Sequence, residues 1–400
     1  MLLPKTLFLN HAGRFLPIWF FLLLYKFGAG IHYSLVAVLG ARVFPLWAVG
    51  LCVGAASLIQ LFLDVPAGLL IERHGALRMM RITTLCFIAV AAVLILFPLT
   101  PIVYVITIIL SALGWLFFHP AVSTYLLVHG KTAYMGKLTG IRRSCEAIGI
   151  TLALIGLPFF SHFSAHVLGI VILFPFIGAL IALLIERRTT PATLLDPQTR
   201  SRRQRANLTI KQILTILHKL HPVGLLMGMQ TLTIGIFYSM MWFLFPLLVS
   251  QSTTPAAYTI ALAALDFTVL IVGIPVGILV DRFKKSHIIA IGVTITAITA
   301  FGVSLTSTFL LLLFVILLSI GDEFATIGLW AWLDEKTNKT RHEGVISGAI
   351  TFLEDLGWMT GPVLAGLFAT ILGPSQTLFI GASLLVVNAV LTNVLLAHKK

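Results

Sequence analysis

Charged residues are scarce in this 400-residue chain. Asp, Glu, Lys and Arg together make up 10% of it, whereas hydrophobic residues make up 58%. A water-soluble domain carries about a quarter charged residues, so most of this surface cannot face water. The expected solvent is therefore a lipid bilayer.

Several signatures of other protein classes are also missing. The only cysteines are Cys52, Cys86 and Cys145, which lie in apolar runs and give neither a disulfide framework nor a metal-ligand spacing. No glycine-rich phosphate-binding loop is present, which argues against an ATP-driven pump. The net charge of +13 comes from basic residues scattered over short loops. Attraction to anionic lipid explains that charge without a nucleic-acid partner, and we expect no cofactor or metal.

What the chain has instead is a series of apolar runs long enough to cross a bilayer. They lie near 15–41, 46–71, 80–99, 101–128, 138–161, 165–186, 222–249, 256–280, 286–306, 308–332, 344–371 and 375–397. Segments inside lipid must satisfy their backbone polar groups internally. The sequence therefore predicts an all-α integral membrane protein with twelve transmembrane helices.

The connections between these runs alternate in charge. Nearly all Lys and Arg fall in every second connection and at the two ends, while the opposite connections hold only Arg42. The positive-inside rule then places both termini in the cytoplasm, in a plasma (inner) membrane. The first residues lack a small-residue cleavage site after the first apolar run, so we expect no cleaved signal peptide.

One long polar stretch divides the chain. Residues 187–221 are rich in Lys and Arg and contain two prolines. We predict an N-terminal six-helix bundle over 1–186, a basic cytoplasmic linker over 187–221 and a C-terminal six-helix bundle over 222–400.

The two predicted bundles share sequence. Gly68-Leu-Leu-Ile-Glu72-Arg73-His74-Gly75 follows the second run, and Gly277-Ile-Leu-Val-Asp281-Arg282-Phe283-Lys284-Lys285 follows the eighth. A second match, at nearly the same offset, pairs Gly136, Gly140, Glu146 and Gly149 of the fifth run with Gly344, Gly348, Glu354 and Gly357 of the eleventh. Matched halves of a polytopic chain are typical of transporters built from two repeats.

With these features the chain resembles the major facilitator superfamily along its whole length. Its repeated string is similar to the family's loop motif, Gly-x-x-x-Asp-Arg-x-Gly-Arg-Arg/Lys. The second copy keeps Gly277, Asp281, Arg282 and Lys285, and the first keeps Gly68, Arg73 and Gly75 with Glu72 in place of Asp.

The resemblance implies two pseudo-symmetric bundles whose third, sixth, ninth and twelfth helices are peripheral. It also implies that Glu72 faces the eleventh helix and Asp281 the fifth, which closes the cytoplasmic side. Asp64, one turn before Gly68, belongs to the same gate region. The alternative is that the charged residues of these loops only determine the membrane topology.

Charged residues inside the spans are costly and usually mark a functional site. We predict that Lys26, Arg142 and Arg143 contact the substrate, with Trp358 as aromatic lining. Arg142 and Glu146 are four residues apart and can form a pair, whereas Arg143 points elsewhere. The alternative is that the acidic residues only neutralise these three cations.

Proton coupling requires a carboxyl group that can exchange its proton inside the membrane. The candidates are Glu146, Asp266, Asp322 and Glu354. Asp322 and Glu354 each have an acidic neighbour, Glu323 and Asp355, and the sequence leaves open which member of each pair faces a cavity.

These features predict a secondary active transporter that moves a small organic molecule by alternating access, as a monomer in the bilayer. We expect proton coupling and an amphipathic or organic-anion substrate, and the resemblance favours export. The drug-exporter signature is incomplete, since Leu110 stands where those exporters carry Arg. An uncoupled facilitator, an importer of a metabolite, and a polytopic enzyme acting on lipids remain alternatives.

Overall fold

In the computed structural model, the described residues are 13–129, 135–189, 223–251, 255–306, 310–337 and 343–397, and this part of the chain contains helices and no strand. The greater part of the predicted linker over 187–221 lies outside these ranges. Within these ranges, the side chain of Asp64 and the surroundings of Gly136, Gly344 and Gly348 are not described either.

The described residues form twelve long helices. In chain order they are α1 Leu16–Ala41, α2 Leu46–His74, α3 Ala76–Leu96, α4 Pro101–His129, α5 Met135–Ile155, α6 Ala165–Thr189, α7 Val223–Gln251, α8 Pro255–Arg282, α9 Lys285–Leu305, α10 Leu310–Thr337, α11 Glu343–Leu372 and α12 Pro374–Ala397. A single turn, Leu157–Phe160, separates α5 from α6. Each helix corresponds to one predicted segment, so the twelve-helix fold is confirmed.

Eleven of these helices are long and apolar enough to cross a membrane. The exception is α5, which carries Lys137, Arg142, Arg143 and Glu146 within its 21 residues. Three of these residues, Arg142, Arg143 and Glu146, are described below.

By packing, the chain divides into two compact units. The N-terminal unit comprises the described residues of Met1–Val43 and Phe62–Gln204, and the C-terminal unit those of Phe44–Leu61 and Arg205–Lys400. The first part of α2, which the sequence assigns to the N-terminal bundle, thus packs with the C-terminal unit.

Helix packing follows the same plan inside each unit. In the N-terminal unit α1 packs against α5 and α6, and α3 packs against α4 and α6. In the C-terminal unit α7 packs against α11 and α12, and α9 packs against α10 and α12. The two units that share sequence thus also share their helix packing.

Glycines bring the matched helix pairs close together. A Cβ added at Gly149 of α5 would lie 2.5 Å from the carbonyl oxygen of Leu23 in α1. One added at Gly357 of α11 would lie 2.7 Å from the carbonyl oxygen of Leu232 in α7. Small residues permit such close helix contacts in membranes, and here they fix the helices that carry Glu146 and Glu354.

Candidate functional site

Lys26 lies in the interior of the N-terminal unit, at the middle of α1, and is 5% exposed. Its Nζ is 4.5 Å from the ring centre of Trp115 and 4.9 Å from that of Phe118, both on α4. The same nitrogen is 3.7 Å from Oε2 of Glu146 on α5. An ion pair and two cation–π contacts therefore stabilise this buried charge.

An aromatic cluster lies around this lysine. Tyr25 stacks on Phe118 with the ring centres 4.1 Å apart, and its hydroxyl donates to the carbonyl of Gly114 over 3.2 Å. Phe87 stacks on Phe176 at 4.8 Å. Large buried rings in edge and stacked contacts form a rigid wall, which holds α4 against α1.

Arg142 of α5 directs three donors at three different side chains. Its Nε donates to Oε1 of Glu146 over 2.6 Å, and its Nη1 donates to Oγ of Ser123 over 2.6 Å. Its Nη2 lies 3.1 Å from Nδ1 of His119. The predicted Arg142–Glu146 pair is confirmed, and the guanidinium also joins α5 to α4.

Arg143, the next residue, is placed differently. Its side chain is exposed, and no hydrogen bond or ion pair involves it among the described residues. The prediction that Arg143 points away from Glu146 is therefore confirmed. Of the two arginines, it is the one available to a ligand.

In the C-terminal unit, neutral donors bind the half-buried carboxylate of Asp322. Asp322 of α10 accepts from Nε2 of Gln230 over 3.2 Å and from Oγ1 of Thr326 over 3.1 Å, both at Oδ1. Its Oδ2 accepts from the hydroxyl of Tyr238 over 3.1 Å.

This network extends to α12, where sequence reasoning found no functional residue. Asn388 donates through Nδ2 to Oε1 of Gln230 over 2.6 Å, and Thr392 donates to Oδ1 of Asn388 over 3.4 Å. The two amides thus have fixed orientations, because each uses its oxygen as an acceptor and its nitrogen as a donor. A search for charged residues misses Gln230 and Asn388, because amides carry no formal charge. Their position as amides within apolar runs is the feature by which the sequence could have revealed them.

Glu354 of α11 is exposed, and none of the described residues forms a hydrogen bond or ion pair with its carboxylate. Its neighbour Asp355 and Trp358, one turn further on, are half-buried. Glu323 turns toward α8, where its Oε2 is 3.9 Å from a Cβ added at Gly273. Asp266 of α8 is half-buried as well.

The matched acids Glu146 and Glu354 therefore have different surroundings. Gly149 packs on α1 beside the Cβ of Lys26, whereas Gly357 packs on α7 beside the Cα of Gly235. Gly235 thus occupies in α7 the place that Lys26 occupies in α1. The cation that neutralises Glu146 has no counterpart next to Glu354.

The repeated loop strings lie at the ends of α2 and α8. Glu72, Arg73, Asp281 and Arg282 are exposed, and Lys285 forms an ion pair with Glu335 of α10. A Cβ added at Gly68 or Gly277 would meet no described atom within 4 Å. Their role as a cytoplasmic gate stays a prediction.

Gly75 has a clear backbone reason to be glycine. It precedes α3 with φ of 86°, a conformation that side chains disfavour.

Among the described residues, no three His, Cys, Asp or Glu side chains are grouped to hold a metal ion.

Comparison with known proteins agrees with this architecture. Residues 227–399 match the family model of the Major Facilitator Superfamily. None of the curated protein sequences compared with the chain matches it.

Solved structures of similar fold span the whole chain. The nucleoside transporter NupG has a TM-score of 0.71 at 13% identity, covering 96% of this chain and 99% of its own. A bacterial homologue of the human lysosomal transporter Spinster, inward-facing and unoccupied, has a TM-score of 0.73 at 12% identity, with 97% of both chains covered. A structure from the proton-dependent oligopeptide transporters has a TM-score of 0.66 at 16% identity, again with 97% of both covered. At these identities the likeness establishes the fold.

Proposed function

We propose that the chain is a member of the major facilitator superfamily and works as a proton-coupled secondary transporter that exports a small organic molecule by alternating access. A chain of this superfamily is a membrane transport protein and not an enzyme. Similar structures are described as nucleoside and oligopeptide transporters, which supports a small polar solute as substrate. Each charged cluster is complete within one chain, which supports a monomer as the working unit.

The observation that carries proton coupling is the isolation of Glu354. The C-terminal unit offers it no basic partner from its spans, because Lys and Arg are missing from 223–281, 286–335 and 344–398. An ionised carboxylate without a partner is costly inside a membrane. A proton removes that cost, so Glu354 is the residue that gains and loses the coupled proton.

Asp322 has a different part in this proposal. Three neutral donors satisfy both of its oxygens. We assign it as a fixed polar anchor between α7 and α10. Asp266 and Glu146 are secondary candidates, since Glu146 is already neutralised by Lys26 and Arg142.

The N-terminal unit supplies the positive charges of the substrate site. Lys26 and Arg142 outnumber Glu146 by one charge in the cluster, and Arg143 adds an exposed guanidinium. Arg binds carboxylate or phosphate through two parallel donors. We propose that Arg143 and Lys26 contact an anionic part of the solute.

The test is transport in proteoliposomes with an imposed pH gradient, using radiolabelled uridine and dialanine as probes. For the solute that the wild type moves, we expect the gradient to raise the rate at least tenfold. Glu354→Gln should lose that response but still exchange solute across the membrane without a gradient. Asp355→Asn, one residue along the same helix, is the matched control and should keep the response.

Three results of this assay would contradict the proposal. Wild-type flux that ignores the gradient identifies an uncoupled facilitator. A full gradient response in Glu354→Gln removes this residue from coupling. Solute movement toward the cytoplasmic face under the imposed gradient identifies an importer. Vesicles of known orientation distinguish the two directions of transport.

A further inference from the structure

Three arginines from two helices lie together at one end of the N-terminal unit, the end that the positive-inside rule assigns to the cytoplasm. Arg78 and Arg81 are in the first two turns of α3, and Arg187 is in the last turn of α6, which packs against α3. Arg81 is close enough to Arg187 and to Arg78 for their positive charges to repel one another. Residues far apart in the sequence thus form one patch of positive charge.

No acid among the described residues forms an ion pair with any of these arginines. Glu186, next to Arg187 in the sequence, turns inward instead. It is buried, and the hydroxyl of Tyr125 donates to its carboxylate. Three like charges held close together repel one another, so an anion bound between them lowers the energy of the patch. The electrostatics of the patch are therefore those of an anion site.

The side chain of Arg81 is held in position by its own helix. Its Nε donates over 3.3 Å to the carbonyl oxygen of Leu77, one turn closer to the start of α3. Its two terminal nitrogens form no hydrogen bond with any described residue. Parallel N–H groups on a guanidinium are the donors with which Arg binds a phosphate. Arg81 thus has donors available for a phosphate at the centre of the patch.

Exposed apolar side chains lead from this patch toward the middle of the membrane. Leu85 lies on α3, one turn beyond Arg81. Leu184 and Ile181 lie on α6, about one and two turns before Arg187. Because α3 begins at the patch and α6 ends at it, both apolar surfaces extend from the patch in the same direction. A ligand with an anionic head and an apolar tail matches this arrangement.

We propose that Arg78, Arg81 and Arg187 bind the headgroup phosphate of an anionic phospholipid, whose acyl chain lies along the apolar surface of α3 and α6. Basic pockets between membrane helices at the cytoplasmic side suit such headgroups. A zwitterionic headgroup fits less well, because three cations repel its ammonium group. A free phosphate ion would leave the apolar side chains without a contact. This lipid site goes beyond the proposed transport function and does not depend on it.

Binding of dioleoyl phosphatidylglycerol to the purified protein in detergent, measured by native mass spectrometry, tests the site. The wild type should bind this lipid at least tenfold more tightly than dioleoyl phosphatidylcholine, which has the same acyl chains and a zwitterionic headgroup. Glycerol 3-phosphate, which has no acyl chain, should bind at least tenfold more weakly than phosphatidylglycerol.

Substitutions of the arginines separate a specific site from a general effect of charge. Arg81→Gln and Arg187→Gln should each weaken phosphatidylglycerol binding about tenfold, the loss of one hydrogen bond to a charged group. Lys284→Gln removes one exposed positive charge from the same side of the C-terminal unit. As the matched control it should stay within about twofold of the wild type. Thermal midpoints establish that each variant is folded.

The double variant of Arg81 and Arg187 tests whether both bind one phosphate. Its loss of affinity should differ from the product of the two single losses by about threefold or more, because groups that share one ligand are coupled. A loss equal to that product would show that the two arginines do not share a phosphate and would overturn the site.

Equal affinity of the wild type for the two lipids would also overturn the site. A loss in Lys284→Gln as large as that in Arg81→Gln would reduce the effect to general surface charge. Glycerol 3-phosphate bound as tightly as phosphatidylglycerol would assign the arginines to a soluble anion instead of a lipid. This assay measures binding and the assay of proton coupling measures transport, so the failure of one proposal is distinguishable from that of the other.

Discussion

At the scale of single residues, Arg142 acts as a junction. It bonds Glu146 on its own helix and Ser123 and His119 on α4. Lysine carries one point charge and cannot reach three partners in a planar fork. A lysine at position 142 would therefore keep the positive charge but lose the three-partner set of hydrogen bonds.

Arg142→Lys should lower stability by about 1–3 kcal/mol, because the bonds from the guanidinium to Ser123 and His119 are lost. Arg143→Lys is the matched control, and for an exposed side chain without such bonds the change should stay within about 0.5 kcal/mol. Thermal unfolding in one detergent measures both. Equal midpoints for the two variants would contradict the assigned role of Arg142.

The sequence could predict only the local part of this site. The Arg142–Glu146 pair follows from a spacing of one helical turn. Lys26, Ser123 and His119 come from other helices, and nothing in their spacing links them to α5. The amide of Gln230 was missed because it carries no formal charge.

At the scale of helices, the contacts of α1 with α5 and of α7 with α11 are the closest matched features of the two units. At Gly149 and Gly357, the atoms that an added Cβ would meet first belong to the backbone of the neighbouring helix. Backbone atoms cannot move aside as a flexible side chain can, so these positions tolerate no larger residue without separating the helices.

Gly149→Ala and Gly357→Ala should each lower stability by about 1–3 kcal/mol through overpacking. Gly140→Ala, on the same helix as Gly149, is the control, since its added Cβ would meet no described atom within 4 Å. That variant should be unchanged or more stable by up to about 1 kcal/mol, the helix preference for Ala over Gly. A midpoint for Gly149→Ala as high as that of Gly140→Ala would refute the tight contact.

Helix positions were the most predictable property of this chain. Most boundaries agree within a few residues because bilayer thickness sets the length of each apolar run. The largest differences occur at the end of α5, predicted at 161 and found at Ile155, and at the end of α10, predicted at 332 and found at Thr337. A hydropathy pattern places the polar last turn of α10, residues 334–337, outside the span, although the helix continues through it.

At the scale of the whole molecule, the two units differ in their membrane cations. The described spans of the N-terminal unit contain Lys26, Arg142 and Arg143 together with acids such as Glu146 and Glu186, whereas those of the C-terminal unit contain acids and no cation apart from those at helix ends. The two units thus share their helix packing but differ in these charged residues.

The proposed topology places both termini in the cytoplasm of the inner membrane, because basic residues concentrate on that side. Green fluorescent protein fused after Lys400 should fluoresce, and alkaline phosphatase fused there should be inactive. Phosphatase fused after Val43, next to the isolated basic residue Arg42, should be active instead. The opposite pattern of activities would invert the assigned orientation.

The charges of α5 also affect how the protein enters the membrane. Each arginine near the middle of a helix that inserts alone costs about 2.5–3.5 kcal/mol, and α5 carries Arg142 and Arg143 there. Pairing Arg142 with Glu146 lowers that cost only in part. The bonds to Ser123 and His119 and the ion pair with Lys26 lower it further. We therefore expect stable insertion of α5 to depend on α1 and α4, which supply these contacts, being in the membrane with it.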